Sequence, residues 1–423
     1  MRKTRFFYGK RIFLFLCLVW LALLNEAAYL NIRQKENTGP APKEEREKKE
    51  KGENNIRVLL TDSDFSTYYH PFVRLLYKGN TFTYTPESPG LSKQPLILSD
   101  PEEGITVVSI TRQEGSPTYQ GSLKIEKRDE GLLLINELSV EDYLKAVVPS
   151  EMPSSYGMEA LKAQAVCART YAYKQMEDAR LKEYGADVDD SVNFQVYRNL
   201  SPTEPTDQAV ESTRGEILCK NGEPIEAYYF STSSGRTSTD EVWGAKEAAS
   251  YLKSVACTYD AQNAYSRWKV EIPWEQLEKS IEQKTGKAYA LKDIQVTKRS
   301  QSGAVIGLLA VTEEESIAIE NEYEVREFLA PGECSVTGKD GKELPGGGLL
   351  PSAYFSLDTD PGVKILLEGG GYGHGVGMSQ NAADEMAKEG FSYQEILDYF
   401  FKDVTIQKAG KREELARDGR SVL

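Results

Sequence analysis

One stretch decides the fold of this chain. Residues 140–176 read VEDYLKAVVPSEMPSSYGMEALKAQAVCARTYAYKQM. Glu151 lies in the middle of the stretch, between Pro149 and Pro153. Proline fixes its own φ and restricts the residue before it, so few backbone conformations are open to this segment. The pattern predicts a carboxylate held rigidly on a short connector between two helices.

The residues on either side predict those helices. Ser139 is a suitable N-cap, with Asp142 three residues on, and Pro149 is expected to end the first helix. In the second helix, apolar residues at helical spacing predict a buried stripe, and polar residues fall on another face. The predicted stripe comprises Leu161, Ala165, Ala168, Ala172 and Met176, and the other face carries Gln164, Tyr171 and Gln175.

This setting allows two interpretations of Glu151. A rigidly held carboxylate beside an amide and a phenol is one way in which a catalytic acid is mounted. Alternatively, Glu151 caps the helix that follows, because anions are favourable at helix N-termini. On these residues alone, both interpretations remain open.

Three further motifs connect the stretch to a known family. Residues 228–237 read YYFSTSSGRT, residues 241–244 read EVWG, and residues 371–380 read GYGHGVGMSQ. Together with residues 140–176 they resemble, in order, the signature of the SpoIID/LytB family (stage II sporulation protein D and its cell-wall relatives). The resemblance extends from Leu138 to Asp403.

The resemblance implies a membrane-anchored lytic transglycosylase that cleaves peptidoglycan glycan strands and leaves a 1,6-anhydro end. On this interpretation Glu151 acts first as general acid and then as base, no cofactor is needed, and the enzyme remodels the septal wall during engulfment in sporulation. The implied partners are glycan strands, other wall hydrolases (an amidase or endopeptidase) and membrane proteins of the engulfment machinery. The alternative is a non-catalytic activator of an N-acetylmuramoyl-L-alanine amidase, or a glycan-binding wall module.

The resemblance also marks residues that would bind substrate or support Glu151. Ser and Thr clusters usually form solvated loops, and a lone histidine is more often structural than catalytic. For His374, however, the flanking glycines leave few local packing partners, which favours the edge of an active site. Trp243 suits either a sugar ring or the core. The supporting set is Gln164, Arg169, Tyr171, Tyr229, Ser231, Ser233, His374, Ser379 and Gln380.

The glycines of residues 371–377 match neither a phosphate-binding loop nor a dinucleotide fingerprint. Alternate glycines instead suggest a close approach of backbones beside a pocket.

No metal site is predicted. Some family members bind zinc through Cys and His in the region that corresponds to residues 181–200, and this sequence has neither residue type there. The acidic residues of that loop lack the glycine and terminal glutamate of an EF-hand. The acidic residues in question are Asp187, Asp189 and Asp190. An extracellular location would permit a disulfide between Cys219 and Cys257.

Composition and the N-terminus indicate a wall-side protein. The chain has 423 residues and a formal net charge of −14, and its basic residues cluster only near the N-terminus, which disfavours a nucleic-acid partner. An apolar run, Ile12 to Leu24, follows a basic segment and predicts an uncleaved single-pass anchor. The positive-inside rule then places the folded part on the wall side of the cell membrane.

The predicted fold class is α+β, a mixed helix and strand core that carries a groove. The second half is expected to contain a helix from Asp207 to Arg214, a hairpin at Asn221-Gly222 and a charged tail that frays beyond Asp403. Ser379 and Ser392 are predicted helix N-caps. The predicted domains are residues 1–30 (basic tip and anchor), 31–55 (charged linker), 56–135 (β-rich region), 136–260 and 346–405 (catalytic core), 261–345 (inserted α+β module) and 406–423 (tail).

Overall fold

The computed structural model describes residues 54–178, 180–197 and 203–410. Within these ranges the chain forms two compact units, the first containing residues 60–137 and the second containing residues 54–59 and everything from 138 onward. The predicted anchor and most of the predicted linker lie outside the described residues. In the described ranges, no helix has the length and hydropathy needed to cross a bilayer.

Helices and strands alternate irregularly along the chain, which confirms the α+β class. The helices are α1 (Val140–Glu151), α2 (Met158–Glu177), α3 (Glu204–Ser212), α4 (Trp274–Thr285), α5 (Glu322–Phe328), α6 (Gln380–Lys388) and α7 (Tyr393–Phe400). The strands of the first half are β1 (Asn55–Leu59), β2 (Val73–Tyr77), β3 (Asn80–Tyr84), β4 (Leu96–Ser99), β5 (Ile105–Val107), β6 (Thr118–Tyr119), β7 (Ser122–Arg128), β8 (Gly131–Ser139), β9 (Val188–Asp189), β10 (Glu216–Lys220) and β11 (Glu223–Pro224). Those of the second half are β12 (Tyr229–Phe230), β13 (Trp268–Pro273), β14 (Leu291–Arg299), β15 (Val305–Thr312), β16 (Ser316–Glu320), β17 (Val336–Gly338), β18 (Glu343–Leu344), β19 (Phe355–Asp360), β20 (Lys364–Gly369), β21 (Met378–Ser379) and β22 (Thr405–Lys408).

The first unit consists of antiparallel strands. One sheet has the order β3-β2-β5-β6, and in the other β7 pairs with both β4 and β8. Alternate residues of β7, Leu123 and Ile125, are fully buried, in keeping with the period of two that a half-buried strand requires.

Helix α2 forms the centre of the second unit. It contacts α1, α3, α6, α7 and β10. All five residues of the predicted stripe are buried, but so are Gln164 and Gln175 on the face expected to be polar. The predicted stripe is confirmed, and burial extends beyond it to the two glutamines because α2 has neighbours on several sides.

Helix α1 begins as predicted and ends later. The Ser139 side chain accepts a hydrogen bond from the Asp142 amide at 3.1 Å, but the helix continues through Pro149 to Glu151. Pro149 sits in the last turn, where its missing N–H removes one helical bond and little of the helix follows. The Ser150 hydroxyl donates to the Ala146 carbonyl at 2.7 Å and satisfies an oxygen of the final turns.

The inserted module has its own hydrophobic core, which includes Trp268, Trp274, Leu308 and Phe328. Helix α4 and strand β15 both contribute buried residues to this core. Two sheets surround this core of the inserted module, β18-β17-β13-β20-β19 and β14-β15-β16. The first sheet contains β19 and β20, from residues 355–369, so the core of the module includes residues beyond position 346.

The predicted hairpin is only partly formed. Asn221 and Gly222 take the positive φ values, 54° and 86°, that a type I′ turn requires. The returning strand β11 has only two residues, however, and β12 pairs elsewhere. Strand β22 pairs with β10 in antiparallel register, so the prediction that the chain frays beyond Asp403 is wrong for Thr405–Lys408, and residues 411–423 lie outside the described residues.

Both predicted N-caps near the C-terminus are confirmed. The Ser379 side chain accepts from the Ala382 amide, and Ser392 forms a reciprocal capping box with Glu395.

Candidate functional site

The two motif-bearing segments meet in a two-stranded parallel sheet. Strand β12 pairs with β21, Tyr229 lying opposite Met378 and Phe230 opposite Ser379. Gly377, at φ +84°, precedes β21, and a Cβ atom there would collide with the Tyr228 carbonyl oxygen. The predicted close approach of backbones at the glycine segment is thus confirmed, and it explains why this position requires glycine.

Glu151 is the last residue of α1, and its side chain is half-buried. Its Oε1 accepts a hydrogen bond from the Val196 amide at 2.8 Å. Helix α2 starts after Gly157, whose amide donates to Asp384 Oδ1 at 2.8 Å. The interpretation of Glu151 as the cap of α2 is therefore wrong, because Asp384 of α6 satisfies that helix end.

The phenol groups of Tyr143 and Tyr229 lie near the Glu151 carboxylate, and the side-chain amide of Gln195 bridges the two phenols. Gln195 Nε2 donates to the Tyr229 hydroxyl at 3.2 Å, and the Tyr143 hydroxyl donates to Gln195 Oε1 at 3.3 Å. Burial and then the negative charge of Glu151 raise the pKa of Tyr229 well above its usual value. Burial, with Glu151 as a smaller cause, does the same to the pKa of Tyr143. Both phenols therefore remain protonated, and so able to donate, at physiological pH.

Gln380 connects this carboxylate residue to α2. Its Nε2 donates to the backbone carbonyl of Glu151 at 3.1 Å and to Gln164 Oε1 at 3.3 Å. Gln164 is fully buried, and its own Nε2 has no hydrogen-bond partner among the described residues. The structure thus brings three of the predicted site residues together.

Ser233 and Ser379 belong to a second group, centred on Asp260. The Ser233 hydroxyl donates to Asp260 Oδ1 at 2.9 Å, and the Ser379 hydroxyl donates to Oδ2 at 2.6 Å. All three residues are buried. Burial raises the pKa of Asp260, although the hydrogen bonds it accepts act in the opposite direction. These contacts tie the β12 loop to the start of α6.

Ser231 lies at the edge of the same loop. Asn381 Nδ2 donates to the Ser231 carbonyl at 3.0 Å and to its hydroxyl at 3.2 Å. The Tyr156 hydroxyl donates to Asn381 Oδ1 at 2.7 Å, which links this loop to the segment between α1 and α2.

The ring of His374 packs against three aromatic side chains. The centroid distances are 5.0 Å to Trp243, 5.8 Å to Phe230 and 6.3 Å to Tyr228. The flanking glycines leave few local packing partners, as expected, and the three rings come instead from residues far away in the sequence.

His374 is held in its neutral form. The Val376 amide donates to its Nδ1 at 3.1 Å, so Nδ1 carries no proton. Burial, followed by the positive charge of Arg326, lowers the pKa of His374 to about 3, and a hydrogen bond with the Tyr229 backbone opposes this shift only in part. A neutral imidazole at this position is a hydrogen-bonding group rather than a proton shuttle.

Two predicted residues on α2 lie in different surroundings. Arg169 is fully buried, and its guanidinium forms a forked ion pair with Glu141 at 2.9 and 2.7 Å. It also donates to the Val210 carbonyl at 3.1 Å, so its role here is to join α1, α2 and α3. The ring of Tyr171 lies 6.2 Å from that of Tyr228, and burial raises its pKa to about 12.

Acidic side chains of the loop after α2 form ion pairs and hydrogen bonds with other groups of the protein. Asp187 is paired with Arg57 at 2.8 Å, and Asp189 accepts from the Ser191 amide at 2.8 Å. In the described residues, no group of three or more His, Cys, Asp or Glu side chains is placed to hold a metal ion. Cys219 and Cys257 are free thiols, so the disulfide that the location would permit is not formed.

Three residues that matter to the geometry escaped the sequence analysis. Gln195 and Asp260 stand alone in irregular segments, and no spacing or motif distinguishes them. Asn381 directly follows Gln380 at the end of the glycine motif, so extending that motif by one residue would have found it.

Comparison with known proteins supports the resemblance. The family model described as SpoIID, Stage II sporulation protein, matches residues 128–219. Stage II sporulation protein D of Bacillus subtilis is 33% identical over 293 residues, which are 65% of this chain and 76% of that protein. The chain belongs to the SpoIID/LytB family. The family match includes α1 and α2, and therefore Glu151.

The chain is also similar to other proteins and to a second family model. An uncharacterized protein of Brachyspira hyodysenteriae is 31% identical over 373 residues, or 84% of this chain and 93% of the relative. The Amidase enhancer of Bacillus subtilis is 31% identical over 298 residues, or 62% of this chain and 40% of the relative. A second family model, Domain of unknown function (DUF8618), matches residues 245–377, which include the whole inserted module and end in the glycine segment.

Proposed function

We propose that this protein is a membrane-anchored lytic transglycosylase of the cell wall, with Glu151 as its general acid and base. Its relatives named for stage II of sporulation suggest a role in remodelling the septal wall. The observation that carries the proposal is the placement of Glu151. It is a half-buried carboxylate at the end of α1, near two protonated phenols and joined through Gln380 to the second half of the family signature.

The proposed reaction needs one carboxyl group. Protonated Glu151 gives its proton to the glycosidic oxygen as the bond from that oxygen to C1 of the muramic acid breaks. The resulting carboxylate then takes the proton of the sugar's 6-hydroxyl while O6 bonds to C1. The products are a free hydroxyl on the leaving sugar and a 1,6-anhydro ring. No water is consumed, and Glu151 ends in its protonated form.

The surroundings of Glu151 suit both halves of this reaction. The Val196 amide holds the carboxylate at Oε1 and so fixes its orientation. The hydroxyl of Tyr229 stays protonated beside it and is available as a donor to sugar oxygens. The ring of His374, neutral at physiological pH, does not compete with Glu151 for the role of acid.

Digestion of purified peptidoglycan followed by mass spectrometry of the soluble fragments tests the proposal. We expect muropeptides that end in 1,6-anhydro-muramic acid. Reducing ends would indicate a hydrolase, and free stem peptides an amidase; either result contradicts the proposal.

A second function is favoured by one comparison, the similarity to a protein named Amidase enhancer. In that case the same residues would bind glycan or a hydrolase, without cleavage by this chain. The protein would then release no fragments by itself and would increase stem-peptide release when a purified wall amidase is added.

A further inference from the structure

A cleft of about 800 Å³ opens in the second unit. Its lining consists of Ser302 and five segments, residues 234–236, 267–269, 337–339, 354–356 and 368–370. The first segment directly follows Ser233, and the last directly precedes the glycine motif of residues 371–380. The cleft is therefore built on continuations of the same two loops that form the candidate site.

The lining of this cleft is strongly positive. It carries four cations and one carboxylate, which leaves a net charge of three positive in a chain whose net charge is −14. Lys269 is paired with the carboxylate, Glu368, at 3.2 Å. The other cations are Arg236, Arg267 and Lys339. In the described part of the chain, none of these three forms an ion pair with a carboxylate.

The three remaining cations instead contact neutral oxygens. Arg236 donates to the Ser254 hydroxyl at 3.1 Å, and Arg267 donates to the Ser234 carbonyl at 3.1 Å. Lys339 donates to the Ala261 carbonyl at 2.6 Å and to Gln262 Oε1 at 2.8 Å. Such contacts position the cations without neutralising them, so their charges remain available to an anion.

The position of Arg267 depends on a glycine. A Cβ atom on Gly370 would lie 2.8 Å from the Arg267 guanidinium and 2.5 Å from the Ser266 carbonyl oxygen. The guanidinium also donates to that carbonyl at 2.6 Å. Glycine at 370 thus allows Arg267 to lie against the backbone, where its planar group is held for forked binding of a carboxylate.

Two aromatic residues lie close in the sequence to residues that line this positive cleft. Tyr265 and Tyr372 have ring centroids 4.4 Å apart, and Tyr372 is 43% exposed. Each tyrosine is two residues from a lining residue, Arg267 or Gly370. Exposed aromatic faces offer apolar contact to a ligand that also carries polar groups, as a sugar ring does.

We infer that this cleft binds the carboxylates of an acidic wall glycan, as an extension of the site that contains Glu151. This inference rests on the proposed function for the identity of the polymer. In peptidoglycan, carboxylates come from the stem peptides and, once these are removed, from the lactyl groups of muramic acid. Cations beside aromatic faces fit a carboxylated sugar polymer better than a polymer of phosphates alone.

Co-sedimentation with insoluble peptidoglycan stripped of teichoic acid tests this inference. The full-length protein is purified in detergent, and every version carries Glu151→Gln so that the polymer is not cleaved. We expect the Arg267→Gln/Lys339→Gln variant to bind on the order of tenfold more weakly at low ionic strength, because two charge contacts are lost. The Lys279→Gln/Lys287→Gln variant removes the same charge from exposed positions of the same module outside the cleft, and it should bind like the parent.

Chemical neutralisation of the polymer separates carboxylate binding from other causes. Peptidoglycan whose carboxylates are amidated should bind the parent as weakly as it binds the cleft variant. Comparison of intact with amidase-treated peptidoglycan then shows which carboxylates are bound. Equal binding by the two double variants, no binding by the parent, or a difference seen only with teichoic acid present would overturn the inference.

These outcomes are independent of the proposed activity. Absence of anhydro products from the protein with intact Glu151 would refute the transglycosylase and leave the binding result standing. Normal anhydro products together with equal binding would refute only the cleft.

Discussion

Gln380, the first residue of α6, donates its side-chain amide to the backbone carbonyl of Glu151, 229 positions earlier in the sequence. The same nitrogen reaches Gln164 on α2. The end of α1 is thereby tied to both α2 and α6. The position of the proposed catalytic carboxylate thus depends on a residue from the opposite end of the family signature.

Replacement of Glu151 by glutamine should abolish most glycan cleavage. The amide cannot donate and retrieve a proton, and one such group typically contributes ~10²–10⁴-fold to the rate. The amide oxygen can still accept from the Val196 amide, so the free energy of unfolding should change by less than about 1 kcal/mol. Anhydro-muropeptide yield and thermal melting measure the two effects. An unchanged yield would eliminate Glu151 as the acid.

Replacement of Gln380 by alanine should slow cleavage while Glu151 remains in place. Loss of the two hydrogen bonds frees the end of α1, and small misplacements of a catalytic group cost about 10–100-fold. We expect the rate at saturating glycan to fall and glycan binding to stay. Glu385→Gln, on the same helix and away from Glu151, is the matched control. Equal rates for both variants would show that the contact does not position the acid.

The neutral state of His374 predicts a pH-dependent stability. Its pKa is about 3 in the folded protein, against about 6.5 in an unfolded chain. This difference in pKa favours the folded protein above pH about 6.5. Its contribution to the free energy of unfolding is lost progressively as the pH falls toward 3, because His374 binds a proton in the unfolded chain before it does so in the folded protein. His374→Asn keeps an acceptor for the Val376 amide and does not titrate. Melting temperatures of the two proteins should converge on acidification, and parallel curves would contradict the prediction.

Two glycines in positive-φ conformations should respond differently to alanine. At Gly390, φ is +95° and no atom lies within 4 Å of the position that an alanine methyl group would take, so the left-handed conformation alone should cost about 1–2 kcal/mol. At Gly377 the added Cβ meets the Tyr228 carbonyl, and overpacking should add about 1–3 kcal/mol. Chemical denaturation of both variants measures the difference. Equal losses would mean that β12 and β21 do not need glycine in order to pair.

The buried pair of Arg169 and Glu141 should be a major determinant of stability. Arg169→Met leaves Glu141 without its partner, and breaking a buried pair in this way costs about 3–5 kcal/mol. Lys174→Met removes a more exposed pair with Glu177 on the same helix and should cost under about 1 kcal/mol. Comparable losses measured by denaturation would show that Arg169 is not structural.

Much of the local structure could be predicted from the sequence because it depends on neighbours in the chain. The caps at Ser139, Ser379 and Ser392 are formed by side chains that reach amides three residues away. The turn at Asn221-Gly222 requires positive φ values that these two residue types accept. Glycine at 377 likewise predicts a close backbone approach, whereas its partner, the Tyr228 carbonyl, is set by the fold.

Only the tertiary structure decided how the site residues are used. Pro149 lies inside α1 because the last turn tolerates a missing N–H, and Arg169 is a buried partner of Glu141 because three helices converge there. His374 is neutral because packing against aromatic rings from distant segments, and then the charge of Arg326, disfavour its protonated form. Gln195 and Asp260 carry no local signal, since their partners lie tens of residues away. The sequence alone identifies the motif residues that the chain shares with the family. Packing between distant segments determines how deeply these residues are buried, whether they are charged and which groups they contact.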